Sequence, residues 1–222
     1  MPNKQKKGLI SLKKKKIYVS VGLTASFVLW TILVQIVDVK PIGPEESKVG
    51  FTALNSCFHN LTGVNMTLYA ITDWLGLVPI AVALGFAVLG LIQWIKRKNI
   101  LKVDRSILAL GGFYILTITA YILFEYVVIN RRPVLINGYL EASYPSSTTL
   151  LVLCVMPTAM MQFNERIKNK AFKITVNSVV AVFVVFMVVG RLLSGVHWIT
   201  DIIGGVLLSS GLVMLYSSVV NG

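Results

Sequence analysis

Six stretches of this 222-residue chain are apolar over about the thickness of a lipid hydrocarbon core, and that constrains its folding more than any other feature. They run from Ile17 to Val39, from about Leu68 to Ile95, from Ser106 to Ile129, from just after Pro145 to about Phe163, from Phe172 to Val189, and from Trp198 to about Val219. A backbone crossing lipid must satisfy its own N–H and C=O groups, so each stretch is predicted to be a helix. The Val- and Phe-rich fifth stretch could pass for a buried strand, but its length without a turn signal argues for a helix. The first is too long for a signal-peptide core and no small-residue cleavage site follows it, so it reads as a retained span. The expected fold is an all-α, polytopic membrane protein: a basic N-terminal segment, 1–16, and a six-transmembrane-helix bundle over 17–222.

Composition agrees with that class. Hydrophobic residues make up 55% of the chain and charged residues 14%, against about 25% charged in soluble domains. Disorder and a water-soluble globule are thereby disfavoured. Two cysteines, Cys57 and Cys154, cannot make a disulfide framework, and Cys154 sits inside an apolar run. With two histidines in the chain, no metal is expected. The net charge of +12 would suggest nucleic acid in a soluble protein; here its distribution matters more. Sixteen of the 21 basic residues fall in 1–16 and in the second-to-third and fourth-to-fifth connections. This asymmetry predicts both termini in the cytoplasm and three loops outside a cell membrane, with no nucleic-acid partner. The N-terminal lysines suit a topology signal and contact with anionic lipid. The longest outer loop, about 40–67, has a mixed apolar and polar second half suited to a short helix on the membrane face.

Once this topology is drawn, polar residues from three segments meet at one depth outside. Arg131-Arg132-Pro133 ends the third span, Tyr144-Pro145-Ser146-Ser147-Thr148-Thr149 begins the fourth, and Arg191, Ser194, His197 and Asp201 straddle the fifth and sixth. Ionisable groups at membrane depth are costly and are functional hypotheses by default. The chemistry they suit is phosphoryl transfer. His197 and Asp201, four apart, share a helix face; the carboxylate can fix the imidazole tautomer and leave the other nitrogen free to attack. Guanidiniums supply permanent planar donors to phosphate oxygens. A Pro-Ser-Ser-Thr helix start adds hydroxyls and unpaired N–H groups, an anion site in its own right. Taken singly, each piece has a structural reading: an interfacial His, headgroup anchors, a helix cap.

These residues resemble the type 2 phosphatidic acid phosphatase (PAP2) family of integral membrane lipid phosphatases. Its third motif, Ser-Arg-x5-His-x3-Asp, is similar to Gly190-Arg191-x5-His197-x3-Asp201. Its first, Lys-x6-Arg-Pro, appears as Glu125-x6-Arg132-Pro133, and its second, Pro-Ser-Gly-His, as Pro145-Ser146-Ser147-Thr148. The resemblance spans about 106–220. It implies His197 as nucleophile, Asp201 orienting it, and Arg132 and Arg191 on the nonbridging oxygens, helped by Ser146 and the backbone at Ser147. It implies a lipid phosphate substrate in the bilayer, and neither cofactor nor metal. Arg131 and Thr148 join the expected substrate-binding set. Glu125, able to pair with Arg131 or Arg132, and His59, the only other histidine, are possible auxiliary groups. Thr148 replaces the motif's proton donor. That favours a substrate whose leaving group needs no proton, such as a polyprenyl pyrophosphate. Two functions stay open: a lipid phosphatase acting on the outer face, and a non-catalytic lipid-phosphate binding or transport protein that kept the fold.

Overall fold

The computed structural model describes residues 2–220. Among them are eight α-helices: α1 Pro2–Ile36, α2 Thr52–Thr62, α3 Met66–Leu75, α4 Leu77–Arg97, α5 Arg105–Tyr126, α6 Ser147–Arg166, α7 Lys170–Leu193 and α8 Ile199–Val220. A hairpin of two-residue strands, β1 Lys40–Pro41 and β2 Lys48–Val49, joins α1 to α2. The chain is a multi-pass, mostly helical membrane protein. The basic N-terminal segment continues into the first apolar stretch without a break in α1.

Among the described residues, five segments are long and apolar enough to cross a membrane: Ile10–Ile36, Met66–Arg97, Arg105–Tyr126, Lys170–Leu193 and Ile199–Val220. The expected fourth span, α6, is not among them, so the six-span count does not stand on hydropathy. Helix α6 carries Thr149, Thr158, Gln162 and Arg166 because α4, α5, α7 and α8 all pack on it. Surrounded by protein instead of lipid, it can hold polar side chains that find partners there. Thr158 donates to the Cys154 carbonyl (2.7 Å), and Gln162 donates to the Tyr216 hydroxyl (2.6 Å).

The second stretch is also two helices rather than one. Pro79 lies in the first turn of α4; it has no N–H to donate, and its ring crowds the carbonyl four residues back, at Leu75. The helix breaks there at Gly76, whose N–H closes α3 on the Thr72 and Asp73 carbonyls. Asn65 caps the other end of α3 by accepting from the Leu68 N–H (2.9 Å). Helix α3 is thus a short element that lies against α7. The short helix expected in the long outer loop is α2. Cys57 and Cys154 are both free.

Helix α8 is the axis of the bundle, packed on α1, α5 and α6. Small residues allow this close approach, as they do between helices in lipid. A Cβ at Gly211 would lie 2.8 Å from Thr24 Oγ1 of α1, and one at Gly204 would lie 2.6 Å from the Tyr144 ring. Ser20 of α1 donates to the Gly211 carbonyl (2.7 Å) across that contact. At one end of the bundle, Asp104 gathers Gln93, Arg97 and Arg166. At the other end, the connections α1–α2, α2–α3, α5–α6 and α7–α8 converge.

Candidate functional site

Two connections build the site. The α7–α8 connection is five residues, Ser194 to Trp198, and it turns at a glycine. Gly195 adopts φ +67°, and a Cβ there would sit 1.8 Å from the Gly63 carbonyl oxygen. The α2–α3 loop presses on this turn, and the Asn65 N–H donates to the Ser194 carbonyl (3.0 Å). His197 follows, 4% exposed. The α5–α6 connection folds back on itself as an irregular hairpin, with a bridge at Arg131 and Ala142 and a tip at Asn137-Gly138, both at positive φ. Asn-Gly is the preferred pair for such a two-residue tip. Arg132 N–H donates to the Glu141 carbonyl and Ser143 N–H to the Asn130 carbonyl. The hairpin therefore presents Asn130, Arg132 and Ser143 to the α7–α8 connection.

His197 lies at the centre. Its Nε2 is 3.4 Å from Arg132 Nη1 and 3.5 Å from Arg191 Nη2. Its Nδ1 is 3.0 Å from Ser143 Oγ, and the same hydroxyl makes a short hydrogen bond to Asp201 Oδ2. Asp201 itself is 3.9 Å from Nδ1, beyond direct hydrogen bonding. Asp201 is fully buried and accepts from Asn130 Nδ2 (3.2 Å) and from the Trp198 N–H (3.0 Å). The second of these also caps α8. Burial holds the His197 imidazole well below the usual histidine range, and the Arg132 and Arg191 charges beside it push the same way. The ring is therefore neutral near pH 7, the form with a lone pair to attack.

The guanidiniums are held from behind. Arg132 Nε is 3.0 Å from Glu141 Oε2. Arg191, 1% exposed in the last turn of α7, places Nη1 3.5 Å from Asp73 Oδ1 and 3.4 Å from Thr72 Oγ1. The Tyr69 ring lies against both, 4.8 Å from Arg191 and 5.9 Å from Arg132, a cation–π contact for each. Among the described residues, Nε of Arg191 is buried without a hydrogen-bond partner. Helix α3 can reach α7 because residue 190 has no side chain: a Cβ there would stand 2.8 Å from Thr72 Cγ2.

The structure thus brings together Arg132, Arg191, His197 and Asp201. Arg131 does not join them: its backbone turns the guanidinium outward to the Leu140 carbonyl (2.9 Å), while its own carbonyl accepts from the Trp198 indole (2.8 Å). Ser146 is committed to structure, its N–H donating to the Asp201 carbonyl and its Oγ accepting from Thr149. Ser147 and Glu125 line a crevice between α5 and α6 together with Ser143, and His197 is not among its lining residues. Glu125 is exposed and, among the described residues, forms no ion pair with Arg131 or Arg132; Glu141 takes the place beside Arg132. Thr148 is half-buried in the first turn of α6. His59 stands beside the Trp198 indole, ring centres 5.4 Å apart, and shares a small crevice with His197; burial lowers its pKa. Sequence reasoning missed Ser143, Asn130, Tyr69, Thr72, Asp73 and Glu141. Among the described residues no cluster of three metal-ligating side chains occurs.

The family model of the PAP2 superfamily matches residues 113–222. The crystal structure of the first transmembrane PAP2-type phosphatidylglycerolphosphate phosphatase from Bacillus subtilis is similar in fold, with a TM-score of 0.54 and 20% identity over 90% of this chain and 94% of that one. No curated protein matches the chain.

Proposed function

Residues 113–222 belong to the PAP2 superfamily, and from that premise we propose that the chain is a membrane lipid phosphatase with His197 as its nucleophile. The observation that carries the reading is the neutral, buried His197 with Nε2 between two guanidiniums and Nδ1 tied towards a buried carboxylate. Nε2 attacks phosphorus, the P–O bond to the leaving group breaks, and water then cleaves the P–N bond. Arg132 and Arg191 stabilise the charge on the nonbridging oxygens as it is redistributed, an electrostatic contribution strengthened by the dry surroundings. The unpartnered Arg191 Nε–H is a spare donor for one of those oxygens.

Thr148 is no proton donor near neutral pH, and this sets the substrate preference. A phosphate monoester expels an alkoxide, whose conjugate acid has a pKa on the order of water's ~15.7. A diphosphate expels a phosphate monoester, whose second pKa is about 6. The diphosphate loses less when the acid is missing, so a lipid diphosphate such as a polyprenyl pyrophosphate is the favoured class. Phosphatidylglycerolphosphate, the substrate in the neighbour's name, is the monoester to set against it. The positive-inside asymmetry supports six crossings with both termini in the cytoplasm and the site facing out. The test is phosphate release by the purified protein from matched prenyl monophosphate and diphosphate and from phosphatidylglycerolphosphate, with His197→Ala alongside. Release that persists in His197→Ala eliminates the nucleophile. Tight binding of all three without turnover would instead establish the non-catalytic reading.

A further inference from the structure

The geometry points to Ser143 as a positioning residue that fixes the His197 tautomer, carrying the hydrogen bond that the Asp201 carboxylate is too distant to make itself. The inference rests on the reading of His197 as nucleophile and adds a residue that lies outside all three motifs.

Counting protons assigns each hydrogen. An ionised carboxylate only accepts. Asp201 accepts from the Asn130 amide and from the Trp198 N–H, and its third neighbour is Ser143 Oγ. A serine hydroxyl has one proton. If that proton goes to Asp201, Ser143 turns a lone pair to His197 Nδ1, and Nδ1 must carry the hydrogen. The opposite face of the ring requires the same assignment independently. Two guanidiniums, which are donors only, approach Nε2. A proton on Nε2 would point at both; a lone pair there accepts from them. The two ends of the ring agree: N–H at Nδ1, lone pair at Nε2.

That is the tautomer phosphoryl transfer uses. When the P–Nε2 bond forms, the electron pair of the breaking P–O bond leaves on the oxygen, and the ring becomes cationic. Its Nδ1–H remains bonded to Ser143, whose own hydrogen remains bonded to Asp201, so the buried carboxylate stabilises the cation through one hydroxyl without moving a proton. When water attacks phosphorus and the P–N bond breaks, its pair returns to Nε2, both protons of the water leave on the product as dihydrogen phosphate, and the chain of hydrogen bonds is unchanged. Without the hydroxyl, Nδ1 and Asp201 Oδ2 face each other across 3.9 Å, and the ring loses its link to the carboxylate, with the Ser143 backbone its remaining neighbour on that side.

The chain has two histidines, so protein labelled with 15N-histidine in detergent micelles reports two imidazoles, and His59→Gln assigns them. The expected result at pH 7 is a protonated Nδ1 and an unprotonated Nε2 for His197. Ser143→Ala should shift His197 towards a mixture of tautomers and lower kcat on a prenyl diphosphate by about 10²-fold with KM little changed, a loss within the range for orienting groups. Ser143→Thr, which keeps the hydroxyl, should restore both. An Nε2–H tautomer in the wild type overturns the inference even if Ser143→Ala fails to fold. So does a Ser143→Ala protein with wild-type tautomer and turnover. The NMR reading needs no activity: a correct tautomer in a protein that never forms a phosphoenzyme would defeat the nucleophile reading and leave the hydrogen-bond assignment standing.

Discussion

Adding one methyl at residue 190 tests how α3 is coupled to the arginines. In Gly190→Ala the new Cβ would meet Thr72 Cγ2 at 2.8 Å, and Leu68 Cδ1 at an ordinary 3.7 Å. The overlap is with one side-chain methyl, so either α3 moves away from α7 or Thr72 turns. Overpacking of this kind costs about 1–3 kcal/mol, while alanine in a helix interior gains about 1 kcal/mol over glycine. The net change in stability is thus small, about 0–2 kcal/mol, and is not diagnostic. The position of Arg191 is. Thr72 Oγ1 and Asp73 Oδ1 both reach its Nη1, and Tyr69 lies along its face, so withdrawing α3 frees the guanidinium. Thr72→Ser removes the clashing methyl and keeps the hydroxyl. Gly190→Ala should lower kcat/KM, and Gly190→Ala with Thr72→Ser should recover most of it. A coupling of about 1–2 kcal/mol between contacting residues would appear as a roughly 5–30-fold non-additivity. The assay is kcat/KM on a prenyl diphosphate for the four proteins of the cycle. Strictly additive effects would show that α3 does not hold Arg191, and the coupling would be refuted.

In Arg191→Lys, a point charge replaces a buried planar fork; turnover should fall about 10²- to 10³-fold, measured as single-turnover lipid release. Thr148→His should speed a prenyl monophosphate more than the matched diphosphate, measured as the ratio of the two rates; an unchanged ratio would show that protonation of the leaving group does not set the preference. His197 should titrate well below 6.5, because burial and two cations oppose its protonated form. Activity limited by it would be retained as pH falls through 6.5 and lost only lower, and Arg132→Gln should move the 15N-detected titration upward. The charged and titratable groups around that ring are Arg132, Arg191 and Asp201, with Tyr69, Asp73, Glu141 and His59 one shell out. For topology, a maleimide that does not cross membranes should label Tyr139→Cys and miss Lys168→Cys in a protein lacking Cys57 and Cys154. The reverse pattern would turn the site to the cytoplasm.

The helices were legible because a lipid core leaves the backbone one economical solution, and hydropathy records it. Two departures have local causes: the fourth stretch does form a helix, α6, but is too polar to count as a span on hydropathy because four helices enclose it, and the second stretch breaks because of Pro79, a local event inside an apolar run. The motif residues Arg132, Arg191, His197 and Asp201 were legible because their chemistry is unusual at membrane depth. Ser143 and Asn130 were not, since serine and asparagine in a loop carry no signal until a hairpin sets their register. The Asn137-Gly138 tip was the one available clue to that hairpin. Arg131 misled because adjacent arginines on an extended strand point to opposite sides, so at most one could face His197. Glu125 misled for a related reason: seven residues before Arg132 suggests two helical turns, but α5 ends at Tyr126 and the spacing beyond it is no longer helical.

The wall that α3 gives the site bears on what the functional unit is. The family match begins at residue 113, within α5, and it takes in every motif residue that converges on His197. Yet Arg191 is braced by Thr72 and Asp73, and both arginines rest on Tyr69, all on a helix some forty residues before the match begins. Asn55 of α2 likewise hydrogen-bonds Thr200 (3.1 Å) beside the start of α8. Buried guanidiniums a few ångströms apart repel each other and are costly to desolvate, so the pair needs compensating groups on its outer side. Here Asp73, Glu141 and an aromatic face supply them. Two of those three lie on α3, and the departure of the third motif at Gly190 is what lets that helix come close enough. The absence of a side chain at residue 190 and the aromatic and acidic brace on α3 are then two aspects of one packing solution. On this reasoning the segment from residue 106 onward would keep His197 but not the placement of Arg132 and Arg191 beside it.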